Sequence, residues 1–104
     1  MSTKPPLEKK VEADLLKELK KLPVKVRKMN PMGFNSWPDR LVIGPKGFFY
    51  WIELKREKIG KLSPGQEDLF GEMLKMDHEV HVFTDGREAA LAVKYALMRH
   101  GVDV

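Results

Sequence analysis

Residues 39–55 leave this chain little choice of local structure. Apolar Leu41-Val42-Ile43 and aromatic-rich Phe48-Phe49-Tyr50-Trp51-Ile52 flank Gly44-Pro45-Lys46-Gly47. Two runs of strand-forming residues around a glycine-proline turn predict a β-hairpin. Folding about that turn pairs residues whose numbers sum to about 92. Asp39 and Glu53 satisfy that sum, so their carboxylates meet across the strands. Side chains alternate along a strand and directly opposed residues share a face. Asp39 of Trp37-Pro38-Asp39 and both charges of Glu53-Leu54-Lys55 therefore converge at the open end of the hairpin. Leu41, Ile43, Phe49 and Trp51 fall on the carboxylate side, and Val42, Tyr50, Ile52 and Leu54 on the other. Apolar residues on both sides predict a central strand covered on both faces.

Two anionic groups so close repel each other unless a cation lies between them. Oxygen donors select hard Mg²⁺ or Mn²⁺ over Zn²⁺. Two carboxylates and an ammonium are what a metal-dependent phosphodiesterase needs. The competing readings are ordinary ones: Asp39 capping a turn after Pro38, and Glu53 with Lys55 as an exposed charge pair. Most charged residues are surface residues, but charges ending a strand buried on both sides are costly unless they are used.

At 104 residues the chain is expected to form one domain, residues 1–104, with residues 1–5 flexible. It has no cysteine, which excludes disulfide frameworks, thiolate catalysis and cysteine-based zinc sites. Its first ten residues carry charges and prolines with no apolar segment, and no apolar run approaches the roughly 20 residues that span a bilayer. A soluble, unsecreted, cytoplasmic protein is expected. With 19 Lys and Arg against 15 Asp and Glu, the net charge of +4 suits a polyanionic partner without requiring one.

From Pro6 to Leu22, apolar Leu7, Val11, Leu15, Leu19 and Leu22 recur at helical spacing until Pro23 stops the pattern. Val24 to Met29 alternates like a strand with one wet face, and Asn30 to Ser36 forms a loop into the hairpin. A basic loop follows, from Arg56 to Leu62. Ser63-Pro64-Gly65-Gln66 is a capping box that opens a helix to about Met76, with Leu69, Phe70, Met73 and Leu74 inward. Glu79 to Phe83 reads as a short strand with Val80 and Val82 inward. Asp85-Gly86-Arg87-Glu88 opens a last helix to about Arg99, with Ala89, Ala90, Leu91, Val93, Ala96 and Leu97 apolar.

This order, with Pro-Asp and Glu-x-Lys on adjacent strands, resembles the PD-(D/E)xK nuclease superfamily and, within it, the VRR-NUC (virus-type replication-repair nuclease) domain. The resemblance runs through Val11-Glu12, Lys28, Pro38-Asp39-Arg40-Leu41-Val42, Glu53-Leu54-Lys55, Gly60-Lys61-Leu62-Ser63-Pro64, Gln66 and Val80-His81-Val82. Ser36 departs from it, standing where members often have glycine. The resemblance implies an α/β fold with a restriction-endonuclease-like core, order αβββαβα, and a mixed central sheet flanked by helices. It assigns catalysis to Asp39, Glu53, Lys55 and Gln66, and Mg²⁺ (with Mn²⁺ as substitute) to Asp39, Glu53, the Leu54 carbonyl and Glu12, with Glu8 as the other candidate on the first helix.

Lys28, Arg56, Lys58 and Lys61, with Lys25 and Arg27, offer a DNA surface. Trp37 and Trp51 are candidates for stacking on DNA, but Trp51 reads first as a core residue. His78, His81 and His100 lack metal-ligand spacing. Short stand-alone members of the family are homodimers acting on branched DNA, which implies an endonuclease resembling a Holliday junction resolvase. The candidate dimer residues are either Met29, Met32 and Phe34 or Met73 and Met76. A flap or restriction-like DNA nuclease is the alternative, and a non-catalytic basic nucleic-acid-binding module is the second.

Overall fold

The computed structural model describes residues 7–29, 36–55 and 61–104, with side chains from Lys9 onward in the first segment. Its elements are α1 (Leu7–Leu19), β1 (Lys25–Lys28), β2 (Arg40–Ile43), β3 (Phe49–Leu54), α2 (Pro64–Lys75), β4 (Val80–Phe83) and α3 (Gly86–Arg99). The four strands form one mixed sheet in the order β1-β2-β3-β4, antiparallel except for the parallel β3–β4 pair. Residues 1–5, the side chain of Glu8, Met32, Phe34, Arg56 and Lys58 lie outside the described residues.

Every Cα pair of the hairpin, from Arg40↔Ile52 to Ile43↔Phe49, has numbers that sum to 92. The Gly44 amide closes the turn by donating to the Phe48 carbonyl at 2.9 Å. Reversal in so few residues needs left-handed backbone, found at Lys46 (φ 60°) and Gly47 (φ 74°). That conformation costs a residue with a Cβ roughly 1 kcal/mol. Lys46 is held in it from both ends: its Nζ donates to the Gly101 carbonyl at 2.6 Å, and its own carbonyl accepts from His100 Nε2 at 2.7 Å.

One face of the sheet carries the core. Val42, Tyr50, Ile52 and Leu54 are buried against Leu15 and Leu19 of α1 and against Ala89, Ala90, Val93 and Leu97 of α3. Burying each of the larger side chains contributes about 1.5–3 kcal/mol. The opposite face leaves Phe49 46% and Ile43 47% exposed, which corrects the expectation of a hairpin covered on both sides. The reason is width. Four strands spaced about 4.8 Å apart make a face some 15 Å across, whereas one helix is about 10 Å in diameter. Two helices cover the core face; α2, which meets the sheet at β4, buries only Phe70 and Met73 of its apolar residues.

Further corrections follow from the same packing. Val80 and Val82 do not face the core. β4 runs parallel to β3 with Ile52↔His81 and Leu54↔Phe83 in register, so His81 and Phe83 take the core face and Val82 is 44% exposed. His81 stacks on Tyr50, with ring centroids 4.1 Å apart. Leu74 and Leu91 lie beside the buried stripes of their helices and are exposed. α1 ends at Leu19, and a turn closed by the Leu22 amide on the Leu19 carbonyl carries the chain to Pro23. The residue before a proline is disfavoured in helical conformation. Of the candidate dimer residues, Met73 is buried and cannot serve; Met76 is exposed and Met29 half-buried. Among the described residues no helix is long and apolar enough to cross a membrane.

Candidate active site

Beyond the last backbone pair of the hairpin, side chains take over the pairing. Asp39 precedes β2 directly, and its Oδ2 accepts from the Leu54 amide at 2.8 Å. In return the Asp39 amide donates to Glu53 Oε1 at 3.2 Å. Each carboxylate is thus anchored to the backbone of the opposite strand. The other oxygen of Glu53, Oε2, accepts from Gln66 Nε2 at 2.9 Å and lies 3.0 Å from Lys55 Nζ. Lys55 Nζ also donates to Gln66 Oε1 at 2.9 Å, which leaves its side chain only 17% exposed.

Gln66 holds this arrangement because it is also the capping-box residue of α2. Ser63 Oγ accepts from the Gln66 amide, and Gln66 Oε1 accepts from the Ser63 amide, both at 3.2 Å. One side-chain oxygen therefore serves the helix cap and Lys55 together, while the side-chain NH₂ serves Glu53. Ser36, the departure from the family pattern, packs here: its Oγ is 2.7 Å from where a Cβ on Gly65 would stand.

Burial raises the pKa of Asp39 above the ordinary carboxylate value, against the opposing hydrogen bond from Leu54 and the charges of Arg40 and Lys55. Burial also raises that of Glu53, and the Asp39 charge adds to it. Both acids bind protons more tightly folded than unfolded. Their contribution to stability is therefore full below about pH 4, the unfolded range, and is lost as pH rises through the elevated folded values. At pH 7 without divalent cations, Asp39→Asn is expected to melt above the wild type, because it removes a carboxylate that burial disfavours in its charged form. A lower melting temperature at pH 7 would show that ionised Asp39 stabilises the fold.

Two facing carboxylates are hard oxygen donors of the kind a dication takes. Glu53 has both oxygens engaged, whereas Asp39 Oδ1 has no donor among the described residues. Among them no three acidic or histidine side chains cluster closely enough to hold a metal on their own. Two carboxylates supplemented by waters or substrate phosphate are nevertheless a usual Mg²⁺ set.

The structure brings Asp39, Glu53, Leu54, Lys55 and Gln66 together. Glu12, the expected ligand from the first helix, has its Oε2 2.9 Å from Arg40 Nη2, and Arg40 Nη1 is 3.4 Å from the Asp39 carbonyl. Glu12 reaches the site through Arg40. Sequence reasoning missed Arg40, which is 4% exposed, although hairpin parity carried the signal by setting it opposite Ile52 on the core face. Lys28 is exposed opposite Arg40 on β1, and Lys61 is exposed ahead of α2.

No family model and no curated relative matches the sequence. A solved structure titled "VRR_NUC domain" superposes on 88% of this chain and 98% of its own, with a TM-score of 0.75 and 24% identity. The chain has the VRR_NUC fold. In these terms the mixed sheet, with α1 and α3 on one face and α2 at the other, is the scaffold that sets Asp39 against Glu53.

Proposed function

We propose that this chain is a divalent-metal-dependent DNA endonuclease built on a PD-(D/E)xK core and selective for branched DNA. Cutting of a four-way junction by a homodimer is its most specific form. The observation that carries the reading is the Asp39–Glu53 pair, two partly desolvated carboxylates cross-anchored between strands with the Lys55 ammonium 3.0 Å from Glu53. A binding module needs no such pair, because acids repel phosphate unless a cation intervenes.

Asp39 and Glu53 would hold Mg²⁺ or Mn²⁺, with the Leu54 carbonyl as a further oxygen donor and Glu12 as the candidate ligand from α1. When bound, the ion would supply Lewis acidity toward a phosphate oxygen and a more acidic water. The chain's own residues do the rest. Gln66 keeps Lys55 Nζ beside Glu53, presenting a fixed cation where charge develops on the phosphate. Arg40, held by Glu12, steadies the Asp39 backbone from behind. Lys28 and Lys61, with Arg56 and Lys58, would take flanking phosphates.

Labelled four-way junction, 5′ flap and linear duplex, each with Mg²⁺ or EDTA, test the reading. Paired symmetric nicks in the junction are expected only with metal. Flap cleavage alone would replace the junction form, and metal-independent binding without cleavage of any substrate would end the nuclease reading. Metal binding has a second readout. At about 100 times its dissociation constant a ligand adds about 2.7 kcal/mol, a rise in melting temperature on the order of 10 °C. Asp39→Asn should abolish that rise.

A further inference from the structure

On the sheet face that carries the carboxylates Ile43 and Phe49 are exposed, and among the described residues a ladder of rings runs along it to the site. Trp37 precedes Pro38-Asp39 and lies 6.0 Å from Trp51. Trp51 Nε1 donates to His78 Nδ1 at 3.2 Å, and Phe49 is 4.9 Å from the His78 ring with nearly half its surface exposed. With its indole N–H spent on His78, Trp51 is fixed in place and offers a ring surface rather than a hydrogen-bond group. Strand register sets Arg27 beside Leu41, the partner of Trp51, and Lys25 beside Ile43, the partner of Phe49. Both cations are exposed. Apart from Glu53, no residue of the four strands on this face is acidic.

Resting on the nuclease reading of the site, we propose that this face is the platform for an unpaired stretch of the DNA strand next to the scissile phosphate. Bases stack on Phe49, Trp51 and Trp37 while Arg27 and Lys25 take phosphates. Ring surfaces beside a basic row fit a single strand, because bases within a duplex already cover one another's faces. A second copy of the chain fits worse. A two-fold contact through this face would crowd both copies' cations together with no strand acid to pair them.

The test is binding of the full chain, in EDTA, to a fluorescein-labelled oligo(dT) of about 12 nucleotides and to a duplex of the same length. The single strand should bind more tightly than the duplex and quench tryptophan fluorescence. Phe49→Ala should lower the single-strand-to-duplex affinity ratio about tenfold, and Phe49→Leu, which keeps apolar cover but no ring, should do the same. An unchanged ratio in folded Phe49→Leu overturns the platform. So does sedimentation showing a wild-type dimer that either variant turns into a monomer, since the face then belongs to a second copy. Metal-dependent cleavage without single-strand preference overturns the platform alone. Ring-dependent binding by a chain that cuts no DNA supports the surface and sinks the nuclease reading instead.

Discussion

Lys55→Ala is expected to slow metal-supported DNA cleavage by about a hundredfold to a thousandfold, the usual loss when one preorganised charge-stabilising group is removed. The size follows from how firmly the ammonium is placed. Among the described residues Nζ has two partners, Glu53 Oε2 at 3.0 Å and Gln66 Oε1 at 2.9 Å, and the side chain is largely buried. Removing it leaves Glu53 with its bonds from Gln66 and the Asp39 amide, so the fold should survive, at a cost of about 1.5–3 kcal/mol for a charged hydrogen bond. Two comparisons separate chemistry from scaffolding. Lys55→Arg keeps the charge on a larger planar group and should recover stability but little of the rate. Gln66→Glu keeps an acceptor for the Ser63 amide, so α2 stays capped, but sets a second acid against Glu53 where an amide donor stood. It should cut the rate while changing the melting temperature less than Lys55→Ala does. Full activity of Lys55→Ala in Mg²⁺ would remove Lys55 from the reaction.

What was legible in the sequence divides along the range of the interactions. The hairpin register, the Asp39–Glu53 meeting and both helix caps depend on residues within about fifteen positions of one another, and turn spacing or capping chemistry is enough to place them. The two faces of β4 were misread because Val80 and Val82 look like inward residues of any strand. Which parity meets the core is set by the parallel register with β3 across the whole α2 crossover. Leu74 was misread for a related reason, since α2 buries a stripe limited by how little sheet it meets. Glu12 shows the limit for function. The family resemblance points to Glu12, and only the fold shows that the buried Arg40 pairs with it and reaches the Asp39 carbonyl.

Among the described glycines, Gly86 is the one where alanine should do most damage, and the link between α1 and the site carries that damage to function. A Cβ on Gly86 would lie 2.2 Å from the Val11 carbonyl oxygen, 2.6 Å from the Leu15 amide nitrogen and 2.9 Å from Asp14 Cβ. Two of these are backbone atoms of α1, so no side-chain rotation relieves the clash. The helix itself must move, and Leu15 and Leu19, fully buried against α3 and the sheet, resist. A loss of about 3 kcal/mol, the upper end for overpacking, is expected, or roughly 12–24 °C in melting temperature. Gly71→Ala is the matched control: its Cβ would meet nothing within 4 Å, and replacing a glycine inside a helix should stabilise by about 0.5–1 kcal/mol. Because Glu12 follows Val11, displacing α1 also draws the carboxylate from Arg40 and loosens the Asp39 backbone. Activity per folded molecule should therefore fall in Gly86→Ala and hold in Gly71→Ala. Equal specific activity in the two variants, measured well below both melting temperatures, would show that the Glu12–Arg40 pair does not position the site.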